Sequence, residues 1–396
     1  MTVYGTPRRR LGLLLVPVVL VAIAAAAVIG FEVGRPGRPA GTPTGTLPAA
    51  APSGRSGAVT TTTPAAPLVV AGTSPADGTK GVDPAAPVTV TFSAALAAGS
   101  PMPVFSPPLQ GSWAVAGDVA TFTPASDALP LSVVTLTVPA GAAGPHGAAG
   151  GELASGTVTH YRVRDGSLLR LQQLLALLDY APLTWTPSGA AIAPGDSTAQ
   201  AAALFNPPAG SFSWTNSGWP SELVSLWKPG RDNVFTRGLV MSFEADHSLT
   251  TSGVIGPGVW SALLGAIAAN TLNTGGYNYA LADKQAPESL TVWHDGKAVL
   301  HSPANTGIAG APTPDGNFPV NTRLRSQVMR GTNPDGSHYA DLVQYIAYFH
   351  GSDAVHYMDR ADYGIPQSLG CVELPLSDAA RAWPYLAYGT LVTVIH

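Results

Sequence analysis

The period of the apolar residues changes along this chain, and no single domain fold accommodates all of it. Residues 32–67 have no period. Pro, Gly, Thr and Ala prevail there, with four threonines in a row from Thr60, and such a stretch reads as an extended spacer that cannot bury a core. From residue 68 the period is two. Val88, Val90 and Phe92 alternate with Thr89, Thr91 and Ser93, the signature of a half-buried strand. Residues 114–115 and 119–122 flank Gly117-Asp118, a hairpin turn, and Val134, Leu136 and Val138 add a strand. Short strands at this spacing predict a β-sandwich over 68–164. From Asp165, a candidate N-cap, the period is helical: Leu168, Leu171, Leu175 and Leu178 share one face. Further helices are expected over 237–245 and over 257–268, where Pro257 suits a first turn. Between the first helix and these two, the stretch carrying Phe205, Phe212, Trp214, Trp219 and Trp227 reads as a local mini-core under a loop, with a glycan groove as the alternative. Beyond about residue 276 strands return. Residues 289–293 and 297–300 flank His294-Asp295-Gly296, a hairpin signal. Residues 342–349 and 391–395 are further strands, and one helix is expected over 378–383 from the N-cap Ser377. The fold class is multidomain: a β-sandwich, a helical domain and a mainly β domain.

Composition narrows the function. Only 11% of the 396 residues are charged, and the net charge is -4, so no basic stripe marks a nucleic-acid partner. With 45% hydrophobic residues the chain is not wholly disordered. Arg8-Arg9-Arg10 precedes an uncharged stretch over 11–31, long enough as a helix to cross a bilayer. Arginines on the cytoplasmic side would send the rest of the chain outside. A cleaved signal peptide is the alternative, with Ala24-Ala25-Ala26 as its small-residue site. The expected location is the cell membrane, through one N-terminal anchor with the domains in the wall, or secretion after cleavage. The chain has one cysteine, Cys371, which excludes an intrachain disulfide and a Cys-rich zinc site. No metal or nucleotide motif occurs, so no cofactor and no metal are expected.

The last domain carries His350-Gly351-Ser352-Asp353-Ala354-Val355-His356 and then Ser368-Leu369-Gly370-Cys371-Val372-Glu373. A His and a lone exported Cys in one domain suggest a thiolate nucleophile with an imidazole base, a neighbouring His lowering the thiol pKa. Gly370 lets the backbone approach closely, and the amides around Gly370 and Cys371 would serve as an oxyanion hole. The alternative is a Cys371 that is merely a buried apolar residue. Either histidine suits the base: in one continuous strand His350, Ser352, Ala354 and His356 share a face.

Three resemblances accompany these readings. Ser74-Pro75-Ala76-Asp77-Gly78 with Val82-Asp83-Pro84 resembles bacterial immunoglobulin-like repeats. Leu171-Gln172, the text over 238–247 and Gly253-Val254-Ile255-Gly256-Pro257 resemble the three-helix peptidoglycan-binding module of wall enzymes, which implies attachment to the glycan without a part in the chemistry. The third covers 276–396. Asn305-Thr306-Gly307, Thr313-Pro314-Asp315-Gly316-Asn317-Phe318, the His and Ser-x-Gly-Cys run, and Gly389-Thr390 together resemble the L,D-transpeptidase catalytic domain of the YkuD family. That resemblance implies an acyl-enzyme on Cys371 made from a peptidoglycan stem peptide and resolved by an amine. Ser368 would orient the motif. His356 is favoured as the proton donor and acceptor, by the order of an aromatic, a Gly-containing turn and Ala354-Val355-His356, with His350 the alternative base. Two residues depart from the family: Leu369 replaces the usual His, and Glu373 stands where Arg is common, which bears on acidic-substrate recognition. The expected domains are 1–31 membrane anchor or signal segment, 32–67 linker, 68–164 Ig-like, 165–270 peptidoglycan-binding-like and 276–396 catalytic. The expected partners are stem peptides, glycan and the cytoplasmic membrane. A wall-binding protein with a decayed catalytic site is the competing reading. A Cys hydrolase of the NlpC/P60 kind is disfavoured, since that family places its Cys before its His.

Overall fold

The computed structural model describes residues 66–396. The apolar stretch over 11–31 and nearly all of the spacer lie outside them. Among the described residues no helix is long and apolar enough to cross a membrane.

Eight strands come first: β1 (Val70–Ser74), β2 (Thr79–Val82), β3 (Val88–Phe92), β4 (Val104–Ser106), β5 (Gly111–Ala116), β6 (Val119–Pro124), β7 (Val133–Val138) and β8 (Thr157–Val163). They make two four-stranded sheets, in the orders β1-β3-β6-β5 and β2-β8-β7-β4. The expected alternation is what builds the sandwich. β3 buries Val88, Val90 and Phe92, and β7 buries Val134, Leu136 and Val138, while the threonines between them stay at the surface side of each pleat. Gly117-Asp118 joins β5 to β6 as the sequence suggested.

Next come α1 (Leu168–Leu177), β9 (Leu183–Pro187), α2 (Ser197–Ala203), β10 (Gly210–Trp214), α3 (Ser221–Leu226), α4 (Val234–Asp246) and α5 (Pro257–Ala269). Pro257 opens α5 as expected. The cap of α1 is Ser167, not Asp165: the Arg170 amide donates to Ser167 Oγ. Gly166 explains the offset. It is wedged where a Cβ would strike Trp260 and Pro130, so the chain stays bound to its neighbours for two more residues before it coils. The aromatics of the insertion are core. Phe205 and Trp219 are buried, Phe212 packs between Trp185 and Trp227, and Trp214 meets Phe235 edge-on.

The helices stand near their expected places, but not as a self-contained three-helix domain. One apolar core runs without a break from Val163 of the sandwich through Leu171, Phe235 and Trp260 to Tyr277, Tyr279 and Leu391 of the C-terminal part. Glycines make the last seam tight. A Cβ on Gly238 of α4 would strike the Gly389 carbonyl, and one on Gly389 would strike that of Gly238. Gly389 also has φ +80, a conformation that favours glycine. Ser242 Oγ donates to the Tyr388 carbonyl beside it at 2.9 Å. Gly238→Val is therefore expected to lower the melting temperature by about 3–10 °C, since overpacking costs about 1–3 kcal/mol. A thermal melt checks this, and a change under about 1 °C would mean the seam is loose.

The C-terminal part contains β11 (Asn278–Asp283), β12 (Ser289–His294), β13 (Lys297–Pro303), β14 (Gly316–Pro319), β15 (Thr322–Thr332), β16 (His338–His350), β17 (Asp353–Tyr357), β18 (Val372–Leu374), α6 (Leu376–Ala382) and β19 (Leu391–Ile395). A five-stranded sheet, β13-β12-β11-β19-β14, faces a four-stranded one, β15-β16-β17-β18. Ala280, Leu290 and Val392 meet Ala347, Val355 and Val372 between them, with Ala379 and Ala382 of α6 in the same core. Asp295 and Gly296 both take positive φ, as a two-residue hairpin turn of primed type requires. The cap of α6 is Pro375, so Ser377 lies inside the helix. The fixed φ of proline ends the extended entry there, and Asp378 in the first turn accepts from Ser302 Oγ at 2.9 Å.

Candidate active site

Two hairpins assemble the site. β15 and β16 run far beyond the core and turn at Asn333-Pro334-Asp335-Gly336. Their outer halves wall a cavity of about 620 Å³, together with Ser352, His356, Arg360, Leu369, Cys371 and Glu373. The chain then reverses at Gly351-Ser352, so that His350 pairs with Asp353 across β16 and β17. The run over 350–356 is thus not one strand: the Gly-containing turn read there separates β16 from β17. His350 and His356 stand on different strands, and a shared face was never available to them. The physical reason is Gly351, which takes φ +51 and admits the turn.

His356 lines the cavity with Cys371; His350 is not among its lining residues. His350 instead places Nδ1 3.0 Å from Asp353 Oδ2 and packs against Phe318. His356 is buried. Its Nδ1 lies 2.9 Å from the Tyr357 carbonyl. A carbonyl only accepts, so Nδ1 carries the proton and, in the neutral ring, Nε2 keeps its lone pair. Burial holds the His356 pKa below the ordinary imidazole value, against the opposing pull of the Tyr357 bond.

Cys371 is half-buried against Val343, Ile346 and Ala354. Its Sγ points toward the Ser352 carbonyl at 3.8 Å. Burial pushes the thiol up to about 12, with the Asp353 and Glu373 carboxylates adding to the rise. Shifted in these directions, the thiol and the imidazole that line the cavity are both in their neutral forms near neutral pH. The lowering expected from a neighbouring His is absent from this balance, in which the Ala354 backbone bond is the one opposing contribution.

Ser368 organises the turn before the nucleophile. Its hydroxyl donates to the Cys371 carbonyl at 2.6 Å, and the Gly370 amide donates back to Ser368 Oγ at 3.2 Å. The Gly370 N–H expected in an oxyanion hole is therefore engaged with Ser368. Gly370 has φ +119, and a Cβ on it would overlap the Asp353 carboxylate, so no other residue fits. Asn305, Thr306 and Gly307 are framework. Asn305 exchanges both backbone bonds with Glu373, and Thr306 donates twice to Glu288.

Three features of the site were missed in the sequence. One is the hairpin wall, with Arg330, Tyr339, Asp341 and Tyr348; Asn333-Pro334-Asp335-Gly336 was its turn signal. Another is Arg360, which binds Glu373 through both Nε and Nη2, at 2.8 and 2.7 Å. No local pattern announces that pair. The third is the bond made by Thr313, a residue the motif marked but gave no partner: its buried hydroxyl accepts from the Gly307 amide at 2.9 Å. Among the described residues no group of three or more His, Cys, Asp and Glu gathers as metal ligands would.

Residues 277–394 match the family model described as an L,D-transpeptidase catalytic domain. The C-terminal domain is of the L,D-transpeptidase type. Residues 64–161 match the model of a bacterial Ig-like domain. None of the curated proteins matches the chain. Similar solved structures include the L,D-transpeptidase from Mycobacterium smegmatis, 15% identical, covering 84% of this chain and 100% of that one, with a TM-score of 0.28. L,D-transpeptidase 3 from Mycobacterium tuberculosis is 16% identical over 83% and 99%, with a TM-score of 0.28. The catalytic domain of the E. faecium L,D-transpeptidase is 27% identical over 30% and 96%, also with a TM-score of 0.28. In the transpeptidase domain of this chain the Ser-x-Gly-Cys run keeps Ser368, Gly370 and Cys371, and Leu369 lines the cavity where the family commonly has His.

Proposed function

We propose that this chain is a peptidoglycan L,D-transpeptidase with Cys371 as nucleophile and His356 as the group that takes and returns the proton. The observation that carries the reading is that the two line one cavity, with the Nδ1–H of His356 bound to Tyr357 so that Nε2 is the free acceptor. The thiol proton passes to Nε2 as sulfur attacks the carbonyl carbon of a stem-peptide bond. The tetrahedral oxyanion needs donors, and the Cys371 amide is the candidate now that the Gly370 amide is engaged. His356 then protonates the leaving amine, the C–N bond breaks and a thioester stays on Cys371. An amine of a second stem attacks the thioester, His356 takes its proton, and the thiolate leaves and is reprotonated. The substrate places this domain in the wall, outside the cell.

Incubation with a carbapenem is expected to give one covalent adduct on Cys371, read by intact mass and peptide mapping. No adduct under conditions that acylate a control transpeptidase would favour a wall-binding protein with a spent catalytic domain.

A further inference from the structure

Glu373 is an odd neighbour for a thiol nucleophile. It follows Cys371 by two residues, so the two flank Val372 on alternate positions, and it stands opposite His356 in the parallel ladder of β17 and β18. All three side chains line the same cavity. A bare carboxylate there would oppose the thiolate and hold the imidazole protonated, which is the wrong charge state for a base. The carboxylate is not bare. Arg360, on the loop that leaves β17, grips both of its oxygens. The Glu373 side chain is 5% exposed and that of Arg360 28%, so the pair is screened little by salt.

We propose that Arg360 is a positioning residue of the site: its guanidinium holds the Glu373 carboxylate in a closed pair, so that the wall beside His356 and Cys371 is electrically neutral. This rests on the reading of Cys371 and His356 as the working pair. It also accounts for the departure at Glu373. The carboxylate that stands at that position is neutralised by the guanidinium of residue 360. The opposed actions on the imidazole fit this, since Glu373 raises the His356 pKa and Arg360 lowers it. Other charged or titratable groups around the cavity are Asp353 from β17 with its partner His350 from β16, Tyr339, Asp341 and Tyr348 from β16, Arg330 from β15 and Tyr363 from the loop after β17. None of them changes in the variants below.

The test is the pH dependence of two reactions of Cys371: alkylation by iodoacetamide and acylation by a carbapenem. In Arg360→Gln the uncompensated carboxylate is expected to move the rising limb up by roughly 1 pH unit, the low end of what a charge within a few Å does. In Glu373→Gln the uncompensated guanidinium is expected to move it down by a similar amount. The double variant Arg360→Gln/Glu373→Gln should return near the wild-type midpoint, and Arg360→Lys should stay near it. A purely structural pair would slow both reactions without moving the limb. Shifts of the same sign in the two single variants, or none, overturn the proposal. If Arg360→Gln does not fold, Glu373→Gln decides alone, and an unmoved or raised midpoint refutes the clamp. Alkylation limbs that move as expected without carbapenem acylation would keep the clamp and sink the transpeptidase reading. Acylation with unmoved limbs would do the reverse.

Discussion

Cys371→Ala is expected to abolish acylation by peptide or carbapenem outright, and His356→Ala to slow it by roughly 10²–10⁴, the usual worth of a positioned base. The pH behaviour of the second variant separates this site from one built on a preformed thiolate. The thiol is pushed up to about 12 by burial, so very little thiolate is present at pH 7. Without His356 the rate should therefore climb about tenfold per pH unit and show no plateau up to pH 10. The intact enzyme should level off far lower. Its limb reports His356, which burial holds below the ordinary imidazole value and which is thus neutral and ready to accept at neutral pH. His350→Ala should cost much less, since His350 bonds Asp353 and does not line the cavity. The measurement is the acylation rate against pH for both variants. A dead His350→Ala with a near-normal His356→Ala would put the base at the other histidine.

What the sequence made legible follows from how far each interaction reaches along the chain. β3 was readable because period two over Val88, Val90 and Phe92 is a local property. Cys371 stood out because the chain has no other thiol, and Ser368, Gly370 and Cys371 form one short run whose bonds close within it. The two histidines were left undecided by direction because faces can be compared only within one strand, whereas Gly351 turns the chain between them. Helix starts slipped by two residues at Ser167 and Pro375, where packing against distant Trp260 and the shape of proline decide the cap. Arg360 and Glu373 are thirteen residues apart, and nothing in either neighbourhood names its partner. The seam of Gly238 and Gly389 was beyond reach for the same reason. A glycine announces that something comes close and not what that thing is.

Whatever the helices do at the wall, the seam makes them part of the support of the C-terminal fold. A chain of residues 276–396 alone is expected to be poorly soluble or to melt far below the longer protein. Tyr277 and Tyr279 are 7% and 0% exposed, and Leu391 is 0%, yet all three belong to the core shared with Trp260, Phe235 and Leu171. Trp219 packs edge-on against Tyr277, and Trp293 leans on Tyr279 from the same core. Uncovering large side chains costs roughly 1.5–3 kcal/mol each, and three of them approach the 5–15 kcal/mol that holds a whole domain folded. The polar ties lost with them add to this. Asn216 Nδ2 donates to the Asp295 carbonyl at 2.9 Å, beside a glycine contact between Gly218 and Gly296, and Ser242 Oγ donates to the Tyr388 carbonyl. The Cys371 cavity is built from the C-terminal part by itself, since its lining begins at Ile308; Cys371 would keep that setting in whatever fraction stayed folded. Circular dichroism melts and size-exclusion profiles of residues 276–396 and 66–396 decide the matter. A monomeric short chain that melts cooperatively within a few degrees of the long one would show that the helices are a detachable accessory after all.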